Sequence, residues 1–237
     1  MGIFDKFKRR PAEDAPADAA AAPANAPAVP QSASAQPAAS AVDGQQAVED
    51  LREQVELWVR PGFLTRAEVL EYAREFRDDD EMPVDDQQLE ALVDDVWNGR
   101  LADEASWPAH TDADRVAAAF AELDANGVVA RMNFTCCQTC GVTEIDDERP
   151  TDRPSSGYVF FHQQDAERLA DDPAHLFLAY GTLDPEKGRV AEQDQAVGEQ
   201  IRATLLAHHL PVEWDGSSTQ RIAVGPLNWQ RRLPRRS

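Results

Sequence analysis

Residues 126–134 read Asn-Gly-Val-Val-Ala-Arg-Met-Asn-Phe, and the hydrophobic pattern of the chain changes there. Before this stretch, apolar residues recur at steps of three and four, which is the spacing of helices that bury one face. After it come short runs rich in β-branched and aromatic residues, bounded by Gly, Pro, Asp or Ser, which is the pattern of strands. Helices first and strands afterwards predict an α+β fold.

Four helices are predicted before the change. Their apolar positions are Val48, Leu51, Val55 and Trp58; Val69, Leu70, Ala73 and Phe76; Leu89, Leu92, Val93, Val96 and Trp97; and Val116, Phe120 and Leu123. Thr65 stands three residues before Glu68, which is the spacing of a capping box. Thr111 or Asp112 is expected to cap the fourth helix, and Asn98-Gly99 is expected to end the third.

A mixed β-sheet with two covering helices is predicted after the change. The strands are expected at residues 128–134, 157–162, 176–182, 211–214 and 221–224. A short helix near residues 164–170 and a longer one at 192–210 interrupt them. This helical segment and sheet are expected to form a single domain over residues 48–229.

Both ends of the chain are expected to be tails. Alanine and proline occupy 22 of the 37 positions from 11 to 47, without an apolar stripe that could bury a core. Such a composition predicts a disordered segment, so residues 1–47 are interpreted as a disordered N-terminal tail. Residues 230–237 are interpreted as a basic C-terminal tail.

The charge of the chain disfavours some functions. The formal net charge is −20, and because both termini are basic, the body between them is more acidic still. An acidic body repels phosphate backbones, so no nucleic-acid partner is expected. At residues 1–10, Ile3, Phe4 and Phe7 alternate with basic residues in a short amphipathic pattern, which suggests weak peripheral contact with a membrane surface.

The sequence also suggests where the protein works. No secretory signal follows the basic start, and no run of about 20 apolar residues could span a bilayer. The three cysteines lie within five positions, which is unlike a disulfide framework. A cytoplasmic location is therefore expected.

All three cysteines lie in the cysteine box, residues 133–141, which read Asn-Phe-Thr-Cys-Cys-Gln-Thr-Cys-Gly. Cys137 and Cys140 have the C-x-x-C spacing with which a turn presents two thiolates to zinc. Cys136 is a candidate third ligand, and His162, at the end of the next strand, is a candidate fourth. His162 can reach the box if strands 128–134 and 157–162 run parallel, and lies at the far end if they form a hairpin.

Two other interpretations of the box remain open. Redox or nucleophilic chemistry needs a lowered thiol pKa, and neither the acidic residues after the box nor Gly141-Val142-Thr143, which predicts no helix, favours it. The cysteines could instead be small core residues in a packed turn.

Four segments together resemble an uncharacterised microbial family, a domain of unknown function. They are the cysteine box, residues 157–165 (Gly-Tyr-Val-Phe-Phe-His-Gln-Gln-Asp), residues 178–181 (Leu-Ala-Tyr-Gly) and residues 210–216 (Leu-Pro-Val-Glu-Trp-Asp-Gly). The resemblance spans roughly residues 48–229. It implies a domain boundary and brings no activity, cofactor or catalytic residue.

Two functions follow as expectations. The first is a non-catalytic cytoplasmic binding or interaction module with a protein partner. The alternative is a zinc-binding domain or small metal-dependent enzyme centred on Cys136, Cys137, Cys140 and His162. Stoichiometric metal in the purified protein distinguishes the two.

Overall fold

The computed structural model describes residues 36–235, with side chains from residue 44 onward. In this part of the chain there are seven helices and a five-stranded mixed sheet, which confirms the predicted α+β fold. The helices are α1 (Gln36–Val59), α2 (Arg66–Asp79), α3 (Asp86–Glu104), α4 (Asp112–Ala125), α5 (Gln138–Glu144), α6 (Gln163–Glu167) and α7 (Val190–Ala207). The strands are β1 (Val128–Arg131), β2 (Gly157–Phe160), β3 (Ala174–Thr182), β4 (Val212–Glu213) and β5 (Ile222–Leu227).

Helices α1, α2 and α3 form a helical unit with its own apolar core. Leu51, Val55 and Val69 are fully buried in it, together with residues of α3. The start of α2 is the predicted capping box, because Thr65 accepts the Glu68 N–H and the Glu68 carboxylate accepts the Thr65 N–H. Such a cap contributes about 1 kcal/mol to helix stability.

The first helix begins earlier than predicted. Because α1 starts at Gln36, the prediction that the N-terminal tail extends to residue 47 is wrong for residues 36–47. Alanine has the highest intrinsic helix propensity, and Ala47 packs into the core of the helical unit. Residues 1–35, including the amphipathic segment 1–10, lie outside the described part of the chain.

The third helix continues past Gly99, where the sequence predicted its end. A glycine inside a helix costs about 1 kcal/mol relative to alanine, and tertiary contacts offset that cost. The Arg100 guanidinium donates to the carbonyl of Arg60 at 2.7 Å, and the Glu104 carboxylate accepts the N–H of Leu233 at 2.6 Å.

The sheet has the strand order β1-β2-β3-β5-β4. β1 and β2 pair in parallel, and every other pair is antiparallel. The connection from β1 to β2 contains α5, as a parallel pair requires a crossover. The carboxyl ends of β1 and β2 therefore lie at the same edge of the sheet.

The two faces of the sheet bury different clusters. Val128 and Ala130 belong to a large core covered by α4 and α7, whereas Val129 between them belongs to a smaller core on the opposite face. The smaller core contains Phe160 and is closed by Ile145, which follows α5. The sequence predicted α4, with its Thr111 cap, and α7, but not α5.

The segment after β5 crosses back over the helical unit, so the prediction of a tail at residues 230–237 is wrong as far as Leu233. Trp229 is buried in the large core, and Leu233 is buried in the core of the helical unit. The Trp229 indole donates to the carbonyl of Pro61, and the Arg231 guanidinium donates to the carbonyl of Gly62, each at 3.1 Å. Residues 229–233, called the strap below, thus join the two cores.

None of the helices within residues 36–235 combines the length and the apolar character that crossing a bilayer requires.

Candidate metal centre

The cysteine box leaves the carboxyl end of β1 and runs directly into α5. Cys137 is the N-cap of this helix, and Cys140 lies in its first turn. The prediction that no helix starts at the pair is therefore wrong. The helix packs at Gly141, where a Cβ atom would come within 2.5 Å of the Phe160 ring, so only glycine fits against this buried side chain.

The backbone of the box is held in an uncommon conformation. Asn133 and Thr135 have φ angles of 52° and 56°, in the left-handed region that β-branched residues rarely adopt. Hydrogen bonds to the end of β2 hold it there: the Phe134 N–H donates to the carbonyl of Phe161 at 2.8 Å, and the carbonyl of Thr135 accepts the Gln163 N–H at 3.1 Å. The neighbouring strand thus fixes the turn that carries the cysteines.

The three sulfurs converge. The Sγ atoms of Cys136 and Cys140 are 3.6 Å apart, and all three Sγ atoms lie within 4.8 Å of one another. A tetrahedral zinc ion with Zn–S bonds of about 2.3 Å holds its sulfurs about 3.8 Å apart. The separation of the Cys136 and Cys140 sulfurs is therefore close to that in a thiolate metal site, and the Cys137 sulfur lies within 4.8 Å of both.

The cysteines are not core residues. None of them is in a disulfide, each is half-buried, and none belongs to the apolar clusters of the described residues. The interpretation of the box as a buried packing turn predicts full burial, which the structure does not show. The thiols lie at a surface that an ion can reach.

The surroundings affect two of the thiols in opposite ways. Burial, together with hydrogen bonding with Cys140, raises the pKa of the Cys136 thiol to about 11. The backbone N–H groups at the start of α5, that of Cys140 above all, lower the pKa of the Cys137 thiol. Cys137 at the N-terminus of α5 is therefore converted to a thiolate ligand more easily than Cys136 is.

His162 reaches the correct edge of the sheet but not the sulfur cluster. Its ring is 7% exposed and bonds on both sides with Asp165: Nδ1 accepts the Asp165 N–H at 3.2 Å, and Nε2 lies 3.0 Å from the carboxylate. Within residues 44–235, the group whose ligand atoms lie within 4.8 Å of one another comprises the three cysteines alone. His162 acts as the N-cap of α6.

The sequence analysis missed Asp165 and Arg221, which explain the position of His162. The Arg221 guanidinium donates to both oxygens of the Asp165 carboxylate and to the carbonyl of Phe177. Burial by itself raises the pKa of this carboxyl, but the hydrogen bonds from His162 and Arg221 outweigh it and hold the pKa below its usual value. The spacing of His162 and Asp165, which is that of a capping box, was the available signal.

No curated protein and no solved structure matches this chain. A family model does match, and it covers residues 44–233, which include the cysteine box, the sheet and the strap. The chain belongs to the family described as a domain of unknown function, DUF6891.

Proposed function

We propose that this domain is a non-catalytic binding module that holds one zinc ion through Cys136, Cys137 and Cys140. The observation that carries the proposal is the convergence of the three Sγ atoms to within 4.8 Å of one another. Cysteine thiolates are soft ligands that zinc prefers, and a turn leading into a helix is a common way to present them.

The charge of the site supports binding rather than hydrolysis. Three thiolates bring three negative charges to a divalent ion, so the complete centre is an anion. A water molecule on such an ion is acidified less than one on a zinc held by neutral histidines, because the thiolates offset the field of the metal. Activation of a nucleophilic water is therefore not the chemistry that this ligand set favours.

Three protein ligands leave one position of a tetrahedral zinc ion open. His162 does not fill it, because both of its ring nitrogens are engaged with Asp165. We assign the fourth position to water or to a side chain of a protein partner. A ligand from a partner would make the zinc ion the point at which this acidic module binds another protein.

Elemental analysis of the untagged, reduced protein tests the proposal. We expect about one zinc ion per chain, because a three-thiolate site retains the ion through purification. Cys137→Ser and Cys140→Ser should lose the ion. Thr139→Ser, a substitution at an exposed position between them, is the matched control and should retain it.

His162→Gln tests whether the zinc ligands are the three cysteines alone or the cysteines together with His162. Because His162 caps α6 and does not lie in the sulfur cluster, this variant should keep its zinc while losing stability. Wild-type protein that contains no metal, and takes up none from a zinc buffer, would show that the cysteines are not ligands.

A further inference from the structure

A cleft of about 600 Å³ lies where the helical unit meets the rest of the chain. It is lined by parts of α1 and α3, by residues around Ala170 and Asp171, and by Asn228, Trp229 and Gln230. None of the cysteines lines it. Pockets of about 300–1,000 Å³ at the junction of two packed units are common sites for small ligands.

Three arginines line this cleft, and two of them have carboxylate partners. Arg52 lies 2.8 Å from Asp95, and Arg60 lies 3.0 Å from Glu56. Arg100 has no carboxylate within ion-pair distance among the described residues. Instead its Nη2 donates to the carbonyl of Arg60 at 2.7 Å, and its guanidinium lies 4.4 Å from the centre of the Trp107 ring.

The Arg100 guanidinium keeps unused donors. Its Nε atom is buried without a hydrogen-bond partner, which costs about 1–3 kcal/mol unless a partner arrives. Nη1 forms no hydrogen bond in the described part of the chain, and Arg100 is one of the residues that line the cleft. Burial also lowers the pKa of this guanidinium, and the nearby charges of Asp103 and Glu104 oppose that effect only in part.

The other charges of the cleft limit what can bind there. Glu56 and Asp95 are paired with arginines, whereas Asp103, Asp171 and Asp172 are exposed and form no ion pair in the described part of the chain. Of these three, Asp103 lies near enough to Arg100 to act on its charge. These three carboxylates disfavour a phosphate dianion more than a group that carries one negative charge. The planar guanidinium of arginine presents parallel N–H donors, called the fork below, and these match the two oxygens of a planar carboxylate.

We propose that the cleft binds the carboxylate group of a small organic acid and that Arg100 is its anchor. The uncharged groups of Ser106, Asn228 and Gln230, which also line the cleft, supply further hydrogen bonds to the ligand. This site is independent of the zinc centre and does not rest on the function proposed for it.

A titration with acetate, monitored at the indole N–H signal of Trp107 by NMR, tests the proposal. The signal is assigned from its absence in Trp107→Phe. We expect a saturable shift of this signal with acetate in the millimolar range, and no saturable shift with chloride at the same ionic strength. An acetate shift that rises linearly without saturating, or that chloride reproduces at the same ionic strength, would overturn the proposal without the use of any variant.

Arg100→Lys tests the anchor, because lysine keeps the charge and loses the fork. We expect the affinity for acetate to fall at least tenfold. Arg74→Lys, an exposed arginine paired with Glu90 on the helical unit, is the matched control and should bind acetate as the wild type does. An unchanged affinity in Arg100→Lys, or tighter binding of inorganic phosphate than of acetate, would refute the assignment.

Discussion

Gly141 shows how a single residue allows the cysteines to converge. The ring of Phe160 is fully buried and cannot move aside, so a methyl group at position 141 has no room. We expect Gly141→Ala to reduce the free energy of unfolding by about 1–3 kcal/mol and to displace α5, and with it Cys137 and Cys140. Urea denaturation and zinc content measure the two effects.

Gly99→Ala is the control for that experiment. Gly99 lies inside α3, and a Cβ atom there would have nothing within 4 Å. The same substitution should therefore stabilise the protein by about 0.4–1 kcal/mol, because it restricts the unfolded chain. Equal effects at the two positions would contradict the packing of Gly141 against Phe160.

Asp165 gives a pH dependence whose sign follows from its pKa. The pKa of this carboxyl is lower in the folded protein than its usual value of 3.8, so it stabilises the fold fully at pH values well above 3.8. That contribution is lost as the pH falls below 3.8 and towards the folded pKa. We expect the free energy of unfolding to decrease over this range.

Asp165→Asn should remove that part of the pH dependence and cost about 3 kcal/mol at neutral pH, because it leaves Arg221 without its carboxylate. Urea titrations monitored by tryptophan fluorescence between pH 3 and pH 6 would measure both. Parallel curves for wild type and variant in this range would show that Asp165 does not contribute as described.

The helices and strands that were predicted correctly are those whose caps and apolar spacing lie within the element itself. α2 and α4 were predicted from their apolar spacing, with a capping box at Thr65 for α2 and a cap at Thr111 or Asp112 for α4; capping boxes form at Thr65 and at Thr111. β1 and β2 were predicted from their composition. Their parallel pairing was left open, because it depends on the crossover between them rather than on either strand.

The elements that were wrong depend on contacts distant in the chain. α5 has no apolar stripe of its own and packs through Gly141 against Phe160. α3 continues beyond Gly99 because its residues form hydrogen bonds with the backbone of Arg60 and Leu233. For the candidate site, all three cysteines were identified from the sequence. The ligand role of His162 stays a prediction that the structure does not favour, because Asp165 and the distant Arg221 orient its ring elsewhere.

At the scale of the molecule, the strap connects the helical unit to the sheet. Leu233 is 4% exposed in the core of the helical unit, and Leu233→Ala should cost about 2–4 kcal/mol through the cavity it leaves. Since the intact strap joins the two cores, we also expect the helical unit of Leu233→Ala to unfold before its sheet, as two transitions in thermal denaturation followed by circular dichroism.

Leu206→Ala tests whether that loss is specific to the strap. Leu206 is 45% exposed on α7, so the same truncation there should cost much less and leave a single transition. Similar losses in the two variants would mean that the strap does not hold the units together.

Zinc X-ray absorption spectroscopy on the untagged protein would show directly whether the three thiols bind one metal ion. We expect three sulfur neighbours at about 2.3 Å from the zinc ion and one nitrogen or oxygen neighbour at about 2.0 Å. Loss of sulfur neighbours in Cys136→Ser, with the wild-type spectrum retained in His162→Gln, would complete the assignment. A protein without zinc, or a zinc ion without sulfur neighbours, would contradict it.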